Sequence, residues 1–498
     1  MTERRNRTAA LGALALAACL AWALAAPQPA LAQGKTVVDQ LTYPKLKDIP
    51  IPAVVREALP NGIKLLFVED HEFPIVGFQA IVRGGMLAEP AGRTGLTELV
   101  GDVLRSGGTQ TVTGDAMDEM LDRWGSRISS SGTVDSVRVG GRALTEYVDR
   151  VLPLFADVLK KPAFAQNKLD LAKRRLSSSI SRRNDNVQAV AQREFLKLLY
   201  GKGSPYARQL EYADVDPISR DDLVAYHAKI FRPDQTVIAV FGDFKIEDMK
   251  GRLAQLLGDW KVAEPAPTYR TAAPPPAKGS LNYVEKRDVT QTFLFLGHPG
   301  FRFDDPDYPA VQVMSDLLGG GFASRIFKKV RTEMGLAYGA GGAVVPAYDH
   351  RGFFFFYTST KPQSTTVALG TILDEVKRIR EAPVTDEELN YAKSAYLNTY
   401  AFDFDSKEKV IRRLLTYEFY GYPADFNTRV RNAVEKVTKD DVLRVAKKHL
   451  QPDQLSIVAV GIKEQFDKPL DTFGPVNTID ITIPEPKPKA PAAGPKGN

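Results

Sequence analysis

Two distant stretches of the chain repeat each other and decide the fold. Residues 218–223 read ISRDDL, and residues 232–242 read RPDQTVIAVFG. Residues 437–442 read VTKDDV, and residues 451–461 read QPDQLSIVAVG, so both matches have the same offset of 219 residues. Two matches at one spacing indicate an internal duplication rather than two unrelated segments.

A third match extends the duplication upstream. Residues 169–173 (LDLAK) resemble residues 389–393 (LNYAK) at an offset of 220. Because nearly the same spacing relates segments more than 60 residues upstream of the final strands, the repeat unit is about 200 residues long.

The local pattern of each repeat predicts a helix followed by a strand. Ser219 and Thr438 are N-cap candidates, since acidic residues follow them in the first turn, where the helix dipole favours them. Each helix must end before Pro233 or Pro452. The apolar run that follows has the length of a buried strand. The predicted fold class is therefore α+β, with two homologous α/β sandwich halves.

Composition places the boundaries of these halves. Residues 263–280 contain five prolines and few large apolar residues, which is typical of an extended linker. The prediction is an N-terminal half at residues 50–262 and a C-terminal half at residues 281–470. The Pro, Ala, Lys and Gly tail at residues 484–498 is predicted to be disordered. Two such halves would face each other across a cleft, and ligand sites favour such interfaces.

The N-terminus has the pattern of an export signal. Residues 4–7 hold three arginines, residues 8–26 are uncharged and rich in Ala and Leu, and residues 30–32 read ALA, a cleavage pattern. This predicts a signal peptide at residues 1–32 and an exported, periplasmic protein with no membrane span after cleavage. Two alternatives stay open: an uncleaved anchor, because a run of this length could just span a bilayer, and lipidation at Cys19.

The overall composition excludes several classes of protein. The chain has 498 residues, of which 44% are hydrophobic and 25% are charged, as in ordinary globular proteins. Its net charge is +6, but residues 1–32 and 484–498 each contribute +2, so the body is nearly neutral and predicts no nucleic-acid partner. The single cysteine excludes a disulfide framework within the chain.

Segments in both halves carry a resemblance to a known family. In the first half, residues 59–70 (LPNGIKLLFVED) contain a hairpin signal, a strand is predicted near residues 78–82, and a helix follows Gly95. The second half carries GGGFASRIF at residues 319–327 and VRTEMGLAY at residues 330–338. Together these resemble the insulinase (pitrilysin, mitochondrial-processing-peptidase-like) family of zinc peptidases. The resemblance implies two homologous halves that form a clam shell around a peptide cleft.

The sequence departs from that family at its zinc site. Active members carry His-x-x-Glu-His on the helix after Gly95, plus a distal Glu; the histidines and distal Glu bind zinc, and the motif Glu activates water. The matching positions here hold Glu98, Gly101 and Asp102. The distal Glu is expected within residues 175–180 (RLSSSI), which contain none. The prediction is a degenerate site that binds no metal, with Glu98 and Asp102 on a solvated helix face.

The resemblance also assigns a second group of residues to the cleft. Arg331 and Tyr338 match a pair that reaches the substrate, and a guanidinium with a phenol hydroxyl can hold a peptide carbonyl as its oxygen becomes negative. Structural roles are the alternative: Arg331 can interact with a helix dipole, Gly335 can end that helix, and Tyr338 can be a core strand residue. Weaker candidates for substrate binding, which could equally form a flexible helix end, are Gly319, Gly320 and Gly321.

These observations lead to one main hypothesis. The chain is expected to be the non-catalytic subunit of a heterodimeric zinc peptidase, binding no cofactor itself. A homologous partner would carry His-x-x-Glu-His and the zinc, while this chain supplies Arg331, Tyr338 and part of the chamber wall. The substrate would be a peptide or unfolded protein, added as a strand at a sheet edge near residues 127–133.

Two alternatives accompany it. One is a peptide-binding or scaffold protein with no peptidase role. The other is an autonomous peptidase that uses Glu98, Asp102 and a remote histidine.

Overall fold

The computed structural model describes residues 53–261, 265–269 and 278–485. The predicted signal peptide, most of the predicted linker and the predicted tail from residue 486 onward lie outside the described residues. Among the helices that are described, none combines the length and apolar character needed to cross a bilayer.

The first half is built on a six-stranded sheet. Its strands are β1 (Val55–Ala58), β2 (Lys64–Glu69), β3 (Ile75–Arg83), β4 (Arg127–Gly132), β5 (Ser136–Leu144) and β6 (Thr236–Gly242). Its helices are α1 (Leu96–Ser106), α2 (Gly114–Arg123), α3 (Val148–Lys160), α4 (Gln166–Ser181), α5 (Val187–Tyr200), α6 (Tyr212–Val215), α7 (Arg220–Ile230) and α8 (Ile246–Leu257). The predicted hairpin is confirmed, since β1 and β2 pair antiparallel and Gly62 has φ 98° in the turn between them, where glycine is favoured.

The second half repeats this plan. Its strands are β7 (Ser280–Glu285), β8 (Thr292–Pro299), β9 (Ala337–Val345), β10 (Phe353–Thr360), β11 (Ser456–Gly461) and β12 (Val476–Thr478). Its helices are α9 (Tyr308–Leu318), α10 (Arg325–Phe327), α11 (Thr365–Arg378), α12 (Asp386–Asp403), α13 (Lys407–Tyr420), α14 (Phe426–Lys436) and α15 (Lys439–His449). Because β12 pairs with β7, the second half extends beyond residue 470, where the sequence placed its end.

The two sheets confirm the internal duplication and the fold class. Their strand orders are β1-β2-β6-β3-β5-β4 and β12-β7-β11-β8-β10-β9. In each sheet the strand after the capped helix, β6 or β11, lies third, with a parallel neighbour on one side and an antiparallel neighbour on the other. The sheets differ at one margin, where β1 is antiparallel to β2 and β12 is parallel to β7.

The predicted N-caps are also confirmed. Ser219 Oγ accepts a hydrogen bond from the Asp222 amide at 3.2 Å, and the Asp222 carboxylate accepts one from the Ser219 amide at 2.7 Å. Thr438 and Asp441 form the same reciprocal pair, with both distances 3.1 Å. These capping boxes fix where α7 and α15 begin, and therefore where the following strands enter their sheets.

Each half covers only one face of its own sheet, and the other face is covered by a helix from the opposite half. On the first sheet, α13 packs against Leu66, Val68, Ile81, Val237 and Ala239 through Val410, Ile411, Leu414, Leu415, Tyr417 and Phe419. On the second sheet, α5 packs against Val284, Phe293, Phe295, Val458 and Val460 through Val190, Ala191, Phe195, Leu199 and Tyr200. This reciprocal helix exchange joins the two halves through apolar cores. The peptide cleft between them stays a prediction.

Replacing Phe195 tests the helix exchange. Its ring is fully buried, with its centre 5.0 Å from that of Phe295 and 5.8 Å from that of Phe353. We expect Phe195→Ala to lower the free energy of unfolding by about 3–5 kcal/mol. Urea denaturation followed by circular dichroism should show one transition at a lower midpoint.

The matched control is Phe322→Ala, because Phe322 is 78% exposed and its loss should change stability by less than about 0.5 kcal/mol. A variant with two transitions, only one of them shifted, would show that the halves fold independently and would contradict the proposed role of the exchange.

Candidate functional site

The positions that match the zinc motif lie on α1, which packs against the edge strand β4. Glu98 is half-buried and Asp102 is exposed. Burial raises the pKa of Glu98, and the nearby carboxylates of Asp102 and Glu89 raise that pKa further. Desolvation of its carboxyl by the surrounding residues also raises the pKa of Asp102, while the positive charge of Arg175 opposes this shift. The helix therefore presents two carboxyl groups whose pKa values lie above their ordinary values.

Gly101 stands where the family motif has its general base, and no side chain fits there. A Cβ atom at this position would lie 2.2 Å from the backbone nitrogen of Gly132 and 2.8 Å from the carbonyl carbon of Ser131. The Ser130 hydroxyl donates a hydrogen bond to the Gly101 carbonyl at 2.6 Å. The edge strand thus occupies the space that a glutamate side chain would need.

A charged cleft of about 300 Å³ lies beside Asp102. Its charged lining consists of three carboxylates and three guanidinium groups: Asp102, Asp118, Asp122, Arg105, Arg127 and Arg175. Arg175 begins the segment in which the distal Glu was expected. Zinc prefers nitrogen and sulfur ligands alongside oxygen, so a cleft whose carboxylates are balanced by guanidinium groups does not fit this ion.

The described residues contain one group of three potential metal ligands with donor atoms within 4.8 Å of one another, namely Asp305, Asp307 and His449. Asp307 already accepts hydrogen bonds from Arg444 at 2.6 Å, Lys448 at 2.7 Å and His449 at 2.8 Å. This group is an ion-pair network in the second half, and it includes neither Glu98 nor Asp102. Within the described residues, no group of three potential ligands includes Glu98 or Asp102, which the idea of an autonomous peptidase requires.

Arg331 and Tyr338 lie in contact at the edge of the second sheet, where Arg331 is half-buried and Tyr338 is exposed. Tyr338 lies on the edge strand β9 and is 81% exposed. The guanidinium carbon of Arg331 is 5.0 Å from the centre of the Tyr338 ring and 4.9 Å from that of Phe327, close enough for cation–π attraction to both rings. The alternative that Tyr338 is a core strand residue is wrong.

The segment that carries Arg331 is π-helical, at Lys328–Glu333, rather than a regular α-helix. Gly335 has φ 62° just after its end, which confirms it as the helix terminator. Among the described residues, Arg331 has no carboxylate partner, whereas Arg325 in the preceding turn is held by Glu388 at 2.7 and 2.8 Å. The fold therefore uses Arg325 to join helices, whereas the half-buried Arg331 rests on two aromatic rings.

The three glycines before this segment have different surroundings. A Cβ atom on Gly319 would lie 2.4 Å from the Gly342 nitrogen, and one on Gly320 would lie 2.6 Å from the Asp316 carboxylate. Gly321 has no atom within 4 Å of that position. Close packing accounts for Gly319 and Gly320, and a role of these glycines in substrate binding stays a prediction.

The structure also shows a cavity that sequence reasoning missed. It lies between α9, α12, α13 and α14, and we call it the aromatic cavity because seven aromatic residues line it. Its residues are dispersed over four helices, so no local motif marks it. The one available signal was Asp316, the only charged residue within the apolar helix α9.

Replacing Gly101 tests whether the zinc position is closed. Alanine favours helices over glycine by about 1 kcal/mol, but its methyl group would press on the backbone of β4. We expect overpacking to prevail and Gly101→Ala to lower the free energy of unfolding by about 2 kcal/mol, measured by urea denaturation. Gly321→Ala is the control and should leave stability nearly unchanged. A Gly101→Ala protein more stable than the native one would show that the space is open.

Comparison with known proteins identifies relatives along most of the chain. The Non-peptidase homolog YmxG of Helicobacter pylori is 24% identical over 411 residues, covering 81% of this chain and 93% of that protein. The Mitochondrial-processing peptidase subunit beta of Saccharomyces cerevisiae is 22% identical over 436 residues, covering 82% of this chain and 92% of that protein.

Solved structures share the fold. A crystal structure described as the peptidase M16 inactive domain from Pseudomonas fluorescens superimposes with a TM-score of 0.75 and 27% identity, covering 84% of this chain and all of that chain. Two family models match successive parts of the sequence. Residues 65–213 match Insulinase (Peptidase family M16), and residues 217–396 match Peptidase M16 inactive domain. The chain therefore belongs to the insulinase family, peptidase family M16, and its sequence contains no His-x-x-Glu-His motif.

Proposed function

We propose that this chain is the non-catalytic subunit of a heterodimeric zinc peptidase. In this proposal a homologous partner carries His-x-x-Glu-His, the zinc ion and its water. This chain contributes Arg331, Tyr338 and part of the chamber that holds a peptide or unfolded protein. The complex would work outside the cytoplasm, as the signal-like residues 1–32 suggest.

The observation that carries the proposal is the contact of the half-buried Arg331 with the exposed Tyr338. A tyrosine ring that is 81% exposed on an edge strand adds little to the stability of the core. A guanidinium that rests on two aromatic rings without a carboxylate partner, within the described residues, keeps its hydrogen-bond donors available. Both groups are therefore placed to bind something that this chain does not itself provide.

The chemistry of the pair suits a peptide carbonyl. The Arg331 guanidinium offers several N–H donors in one plane, and the Tyr338 hydroxyl offers one more. Donors that point at a carbonyl oxygen stabilise the negative charge that develops there when water adds. Such donors accelerate hydrolysis only if another group activates the water, and Glu98, Gly101 and Asp102 do not form such a group.

The relatives support a division of labour. One is named a non-peptidase homolog, and another is named a subunit of a processing peptidase. A chain that lacks zinc ligands but displays an Arg/Tyr pair fits the role of a subunit that completes a partner's site.

A specific observation also favours the alternative of a peptide-binding or scaffold protein. Strand β4 is confirmed as an edge of the first sheet, in the region where the sequence predicted an added peptide strand. Edge strands accept peptides through backbone hydrogen bonds without any catalytic group. In this alternative, Arg331 and Tyr338 would be dispensable.

Purification of the full-length chain with its binding partners distinguishes the two functions. We expect one near-stoichiometric protein that carries His-x-x-Glu-His, identified by mass spectrometry, and peptidase activity in the complex. Within that complex, Tyr338→Phe and Arg331→Ala should each lower kcat by about 10²–10³-fold, the usual cost of losing one donor to an oxyanion, without dissociating the subunits.

Tyr391→Phe is the matched control, because Tyr391 is also an exposed tyrosine, at 48%, but lies on α12. It should leave kcat unchanged. Native turnover in both Arg331→Ala and Tyr338→Phe, or the absence of a zinc-peptidase partner, would overturn the subunit proposal and favour a scaffold.

A further inference from the structure

The aromatic cavity has the size of a small-molecule site. Its volume is about 330 Å³, within the range of ligand pockets in proteins. Seven aromatic residues line it: Phe303, Tyr308, Tyr348, Tyr396, Tyr400, Tyr417 and Phe426. Aromatic faces carry partial negative charge and attract cations that approach them.

The charged groups of the cavity leave one carboxylate unbalanced. Arg413 pairs with Asp403 at 3.2 Å, so these two charges offset each other. Asp316 also lines the cavity, and among the described residues its carboxylate has one hydrogen-bond partner, the Gln312 amide at 3.1 Å. A site with a net negative charge and aromatic walls selects a positively charged ligand.

This cavity adjoins the helix beside the edge strand of the second sheet, as the degenerate zinc cleft does in the first half. Ser315 on α9 contacts the edge strand β9, where its hydroxyl accepts a hydrogen bond from the Val344 amide at 2.9 Å. Gly101 on α1 contacts the edge strand β4 through its carbonyl, which accepts a hydrogen bond from the Ser130 hydroxyl at 2.6 Å. The next residue along each helix, Asp316 or Asp102, lines a cavity.

A second pair of equivalent helices, α4 and α12, also lines the two cavities. The LDLAK and LNYAK matches relate α4 to α12, and the offset of 220 takes Arg175 to residue 395, which is alanine. Arg175 lines the first cleft and Ala395 lines the aromatic cavity. The second half thus has a corresponding pocket in which alanine replaces this guanidinium, and the guanidinium that does line it, that of Arg413, is paired with Asp403.

We propose that the aromatic cavity binds a small organic cation, an ammonium or quaternary ammonium group that contacts Asp316 and the surrounding aromatic rings. This inference is independent of the proposed peptidase role, since it concerns neither Arg331 nor Tyr338. The ligand's charged group would lie between the Asp316 carboxylate and the ring faces, with its apolar carbon atoms against the same rings.

Choline and its neutral isostere 3,3-dimethylbutan-1-ol test the proposal, because they have the same shape and differ in charge. Isothermal titration calorimetry with the full chain at pH 7.5 should show saturable choline binding, at least about tenfold tighter than binding of the alcohol. Asp316→Asn should weaken choline binding at least about tenfold. Asp102→Asn, the equivalent change in the first half, is the control and should leave binding unchanged.

The Asp316→Asn variant is expected to fold, because removing a partly buried charge relieves a desolvation cost. A circular dichroism spectrum checks that it has the native secondary structure. Equal affinity for choline and the alcohol, or native choline binding by Asp316→Asn, would overturn the proposal. So would the absence of any saturable choline binding by the native chain.

The pH dependence of choline binding gives a second readout. Burial raises the pKa of Asp316 to about 6, so its carboxylate is mostly ionised at pH 7.5 and mostly neutral at pH 5. Choline keeps its charge at both values, and we expect it to bind about tenfold more weakly at pH 5. Equal affinity at both pH values would contradict the role of Asp316.

The other ionisable groups of the cavity do not account for such a change. Asp403 is paired with Arg413, and burial raises the pKa values of the tyrosines, which stay neutral throughout this range: Tyr308, Tyr348, Tyr396, Tyr400 and Tyr417.

Discussion

A mixed sheet with two apolar faces must be covered on both sides, and this constraint organises the whole molecule. The helices of each half cover one face of its sheet. The second face would be exposed to water if the halves were separate, because Leu66, Val68 and Ile81 point away from the first core. The exchange of α5 and α13 removes both exposed faces at once. Apolar burial, the main favourable term in folding, therefore acts between the halves as well as within them.

The duplicated fold places equivalent strands and helices at equivalent positions in the two halves. The two halves use these strands and helices differently. Each sheet ends in an edge strand, β4 or β9, beside a helix, α1 or α9. In the first half, close contact between Gly101 and Gly132 seals the position that a general base would occupy. In the second half, the edge strand presents Tyr338 to solvent, and the neighbouring helix leaves an aromatic cavity. The proposed chemistry of this chain therefore lies in the second half.

The sequence predicted features that depend on neighbouring residues. The hairpin at Gly62 and the capping boxes at Ser219 and Thr438 are local, so a short pattern was sufficient. The duplication was visible because the same local patterns recur at one spacing. The helix exchange was not predictable, because the apolar residues of α13 do not show which of two sheets they cover. The exposure of Tyr338 could not be predicted from the sequence for a related reason. Its strand could be a central strand or an edge strand, and only the strand order of the sheet distinguishes the two.

The helix exchange has a consequence for the order of events during synthesis. Strands β2, β3 and β6 are complete once residue 242 has left the ribosome, but their second face is covered by residues 404–419. For the time needed to add more than 160 residues, the first half carries an uncovered apolar surface. At about 5–20 residues per second this interval lasts roughly 10–30 s, long compared with the collapse of a chain. The first half can therefore complete its fold only after the second half has been synthesised. A factor that binds apolar strands of nascent chains would find this sheet face exposed during that interval.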